Sequence, residues 1–70
     1  MGLDENATKA KLVEKLYKID NNREFVLGVI SFAKHVEDRN VILEYIEKGQ
    51  EVSKKNLLLL ALELNKARRS

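Results

Sequence analysis

A chain of 70 residues is read as a single domain, of a size at which about 60% of the unfolded surface is buried on folding and one core is barely sufficient. The absence of cysteine excludes disulfide staples and thiolate metal sites, which leaves self-association as the natural aid to a small core. Apolar residues at 44% and charged residues at 34% exclude a disordered chain, and no proline with only three glycines excludes the hairpin turns of a β fold. The expected class is all-α: a small bundle of four short helices, about 6–18, 22–36, 39–48 and 54–68, with residues 1–5 of the single 1–70 domain flexible.

In the first of these, Leu12, Val13, Leu16, Tyr17 and Ile19 recur at helical spacing, with Asp4, Glu5 or Thr8 near the start as caps. The helix is expected to stop near "KIDNN", where Asn21 followed three residues later by Glu24 makes a capping-box pattern. The second helix then places Phe25, Val26, Val29, Ile30, Phe32, Ala33 and Val36 on one broad face.

No glycine or proline separates this set from Val41, Ile42, Tyr45 and Ile46, but helical phase does. At about 100° per residue the later set falls roughly 160–180° around from the earlier one, and a single helix would need two opposite apolar faces. A break is therefore predicted in "HVEDRN", with Asp38 as the cap and Gly49 ending the third helix. For the fourth, Ser53 is the expected N-cap, with Val52 and Leu57 as a hydrophobic staple.

Catalytic equipment is sparse. His35 is a lone histidine facing away from the Phe25 and Val29 stripe, and Ser31 and Ser53 have no base partner at readable spacing. No phosphate-binding glycine loop, zinc spacing or EF-hand loop occurs, so neither enzyme, metal nor cofactor is expected. The longest uncharged apolar stretch, Phe25 to Ala33, is about half of a membrane span. The start Met-Gly-Leu-Asp-Glu-Asn carries Asn6 where a myristoylation signal wants Ser or Thr. A cytoplasmic protein without membrane attachment is expected.

The fourth helix holds the informative excess. Residues 1–50 carry eight Lys or Arg against nine Asp or Glu, and residues 51–70 carry five against two. Lys54, Lys55, Lys66, Arg68 and Arg69 thus form the set for a nucleic-acid contact, and "YIEKGQEVSKKNLLLL" has a helix-turn-helix outline. Opposing this, the positions that would read bases are Leu57 to Leu62, and cations in a last helical turn complement the macrodipole on their own account.

Leu57, Leu60, Ala61 and Leu64 make one core-facing stripe; Leu58 and Leu62 widen it past half the circumference, and Leu59 lies beyond. Leu27 and Leu43 are likewise off their own helices' stripes. Such a surplus predicts a shared apolar surface. The leading expectation is a non-catalytic protein that associates with its own copy, as a homodimer, or with a larger protein partner, through Leu58, Leu59 and Leu62 with Leu27 or Leu43. The alternative is a small nucleic-acid-binding regulator using the five cations.

Overall fold

Four helices account for most of the chain in the computed structural model, which describes residues 4–48 and 52–69. They are α1 (Glu5–Ile19), α2 (Arg23–Phe32), α3 (Val36–Glu47) and α4 (Lys54–Arg69), and no strand occurs among the described residues. The protein is an all-α bundle, as its composition predicts. Residues 1–3 and Gly49, on which the expectations of a flexible start and a glycine stop fall, lie outside the described residues. Asp4 and Glu5 are part of the fold, as the cap and first residue of α1.

The caps follow from short polar side chains satisfying the free amides of a first turn. Asp4 accepts from the Ala7 amide at 3.1 Å, and Ser53 Oγ accepts from Asn56 at 3.2 Å, as expected. At α2 the cap is Asn22 rather than Asn21: its side chain accepts from the amides of both Glu24 and Phe25. A capping residue two and three positions ahead of the amides it binds outranks the box pattern that pointed one residue earlier.

The larger correction concerns the break between α2 and α3, which falls at Ala33 to His35 and so meets the expected "HVEDRN" only at its first residue. Asp38 is not a cap; it lies in the first turn of α3, where His35 occupies the N-cap position without a side-chain bond. The cause is Arg39. Its buried guanidinium donates Nε–H to the Ala33 carbonyl at 2.6 Å and Nη2–H to the Ile30 carbonyl at 3.3 Å. Those carbonyls belong to the end of α2, where a helix has unpaired acceptors and a partial negative charge. A cation from the next helix thus does the work for which many helices use a C-terminal glycine.

The core joins Leu12 and Leu16 of α1, Phe25, Val26, Val29 and Ile30 of α2 with its C-cap Ala33, Ile42 and Leu43 of α3, and Leu57 and Ala61 of α4. Packing is most extensive between α1 and α3 and between α2 and α4. α4 therefore lies over α2 and α3 rather than at the centre of the bundle, and buries only Leu57 and Ala61 fully. Tyr17, Phe32 and Val41, expected in the core stripes, are all exposed.

Candidate functional site

Because α4 is packed on one side only, the face opposite its Leu57 and Ala61 contacts is left to solvent. Leu60 and Leu64 pack on the core as expected, and so does Leu58 in part. Gly28 of α2 faces α4: a methyl group built there would stand at an ordinary 3.7 Å from Leu58 Cδ2. One turn further along α2 is Phe32, on the same side of that helix.

Between Phe32 and α4 lies a groove of about 500 Å³ lined by Phe32, Lys54, Lys55, Leu58, Leu59 and Leu62. Its walls are almost wholly carbon, with the two lysines at the end nearest the start of α4. Leu59 is 49% exposed and Phe32 38%, so two large apolar side chains stand in water beside two half-buried leucines. A contiguous apolar face of this kind is the feature that ordinary scattered exposed leucines do not make.

Of the five leucines expected at a shared surface, Leu58, Leu59 and Leu62 are brought together here. Leu27 is 54% exposed but does not line the groove. Leu43 is 5% exposed and belongs to the core, so it is not a surface residue at all. Its helix is rotated relative to the expected stripe, because Asp38 and Arg39 share the buried face of α3 with Ile42 and Leu43. Phe32, expected on the core stripe of α2, stands at the surface instead. By phase it lies roughly 90° from the centre of the α2 stripe, at its margin, which was the available signal.

The five cations are not gathered into one site. Lys54 and Lys55 are about eleven residues from Lys66, roughly 17 Å along a helix, and Arg69 is further still. Lys54 pairs with Asp20 at 3.8 Å. Arg68 is held by Asp38 through two bonds, of 2.6 and 3.2 Å, with Glu37 nearby at 3.8 Å. These carboxylates raise the Arg68 guanidinium above its ordinary range, chiefly through the hydrogen bond to Asp38. Lys55, Lys66 and Arg69 are exposed.

Ser31, in the last turn of α2, and His35, at the N-cap position of α3, are both exposed. Among the described residues no group of three or more His, Asp or Glu is arranged to hold a metal ion, and no helix is long and apolar enough to cross a membrane. No protein-family model, curated protein or solved structure matches this chain.

Proposed function

We propose that this is a non-catalytic cytoplasmic protein that works by protein–protein association, with its own copy or as an accessory to a larger partner, through the groove of Phe32, Leu58, Leu59 and Leu62. The observation that carries this reading is the exposure of Leu59 and Phe32 in one continuous apolar groove. Covering such a face contributes about 25 cal/mol for each Å² of carbon surface removed from water, and the neighbouring lysines give an edge on which acidic groups of a partner can be read.

The experiment is affinity capture from native extracts with the wild-type chain and its Leu59→Lys variant as baits, read beside solution mass by light scattering. A protein, this chain or another, retained by the wild type and lost with Leu59→Lys is the expected result. Retention that ignores Leu59→Lys, or recovery of nucleic acid alone, would overturn the reading.

A nucleic-acid regulator is the second reading, supported by the exposed Lys55, Lys66 and Arg69. It is weakened by the carboxylate partners of Lys54 and Arg68. Its mark would be affinity for duplex DNA that falls steeply with salt and is lost when Lys55, Lys66 and Arg69 are changed to Gln.

A further inference from the structure

Along α4, Lys55, Leu59 and Glu63 are spaced four residues apart and all three are exposed. Side chains at this spacing form one ridge on a helix, the i±4 row that packs into the grooves of a neighbouring helix. The ridge reads positive, apolar, negative. Neither Lys55 nor Glu63 has an ion-pair partner among the described residues, whereas Lys54 beside them is paired.

Such a sequence is complementary to itself when turned end for end. In an antiparallel pair of identical helices related by a two-fold axis, residues whose numbers have a constant sum face one another. An axis through Leu59 sets Leu59 against its own copy and each Lys55 against the Glu63 of the other chain. Two ion pairs then flank one apolar contact. Packed helices are about 8–10 Å apart, a distance that a lysine and a glutamate side chain span together.

We infer that the occupant of the groove is a second copy of this chain, docked antiparallel through α4 with Leu59 at the two-fold axis and Lys55 paired to Glu63 across it. This rests on the association reading above and names its partner. The partner's Leu59 enters the groove beside Leu58 and Leu62, while Phe32 closes the α2 side. A stable interface buries on the order of 800 Å² from each partner, about a sixth of the 4966 Å² exposed by this chain. The contact is therefore a face comprising α4 and the adjoining edge of α2, and not a single helix line.

Sedimentation equilibrium on the wild type, Lys55→Glu, Glu63→Lys, the double exchange and Leu59→Lys tests the arrangement, with thermal melts confirming that each surface variant is folded. Each single exchange sets like charges together twice, and weakens the dimer by roughly tenfold or more. The double exchange restores wild-type affinity, because Glu at position 55 then meets Lys at position 63 of the other chain. Leu59→Lys is monomeric. A double exchange no tighter than the singles would overturn the antiparallel register. A wild type that stays monomeric at millimolar concentration would overturn the second copy as occupant, and association as such would still stand if the Leu59-dependent capture recovered a different protein.

Discussion

Arg68 and Asp38, thirty residues apart, are joined by two hydrogen bonds: Nε to Oδ2 at 2.6 Å and Nη2 to Oδ1 at 3.2 Å. The pair ties the last turn of α4 to the first turn of α3. Each ion also suits its own helix, a cation near a C-terminus and an anion near an N-terminus. Asp38 is buried while Arg68 remains partly in water, so the carboxylate depends on this one guanidinium more than the guanidinium depends on it.

Replacing Arg68 should therefore lower the melting temperature even when positive charge is kept. A lysine offers one ammonium in place of a planar fork, and Arg68→Lys is expected to fall between wild type and Arg68→Gln. Glu37→Gln is expected to change little, since Glu37 is exposed and its contact is 3.8 Å. Thermal unfolding followed by circular dichroism would rank the three. A DNA-binding defect of an Arg68 variant would have to be separated from this loss of stability.

Arg39→Met should be among the more damaging single changes that leave apolar volume in place. It removes both donors from the Ala33 and Ile30 carbonyls in a buried setting, which costs about 2–4 kcal/mol. Urea unfolding would show the loss as a lower midpoint, and hydrogen exchange would show it first as faster opening at the end of α2.

Three of the five leucines that sequence phase sets apart as surplus divide sharply on a single test. Leu43→Lys puts an unpaired ammonium into the core and should be strongly destabilising, because its burial costs several kcal/mol on top of the lost leucine packing, out of the roughly 5–15 kcal/mol that holds a domain together. Leu27→Lys and Leu59→Lys, at half-exposed positions, should melt within a few degrees of wild type. Circular dichroism of the three would settle the order.

Gly28→Ala is expected to stabilise. Gly28 sits inside α2, where alanine is better by about 0.5–1 kcal/mol. The added methyl would touch Leu58 Cδ2 at an ordinary 3.7 Å. A rise of a few degrees in melting temperature is the outcome to look for; a fall would mean that α2 and α4 are packed more tightly than this distance implies.

Phase and capping made the helix count, the Ser53 cap and the division of α4 into core and surplus leucines legible in the sequence. The α2–α3 junction was not, for a physical reason. Hydrophobic patterning assigns charged residues to water, yet Arg39 is buried here against the Ala33 and Ile30 carbonyls at the end of the preceding helix and Asp38 against Arg68, thirty residues on. That moved the break, rotated α3 and turned Leu43 inward. Phe32 went the other way, since a residue at the margin of a stripe is covered or bare according to where the neighbouring helix lies. The self-complementary order of Lys55, Leu59 and Glu63 was written in the sequence, but it acquires meaning only once α4 is known to present that side to solvent.

The interlaced packing of the bundle, α1 on α3 and α2 on α4, bears on how the chain reaches its fold. Neighbouring helices in the chain are not each other's main partners, so neither half contains a complete packing pair. Cleavage in the Ala33 to His35 segment should give two pieces that are each unstructured alone and regain helix together when mixed. Folding is then expected to be one cooperative event, completed only when α4 supplies Leu57 to the core and Arg68 to Asp38.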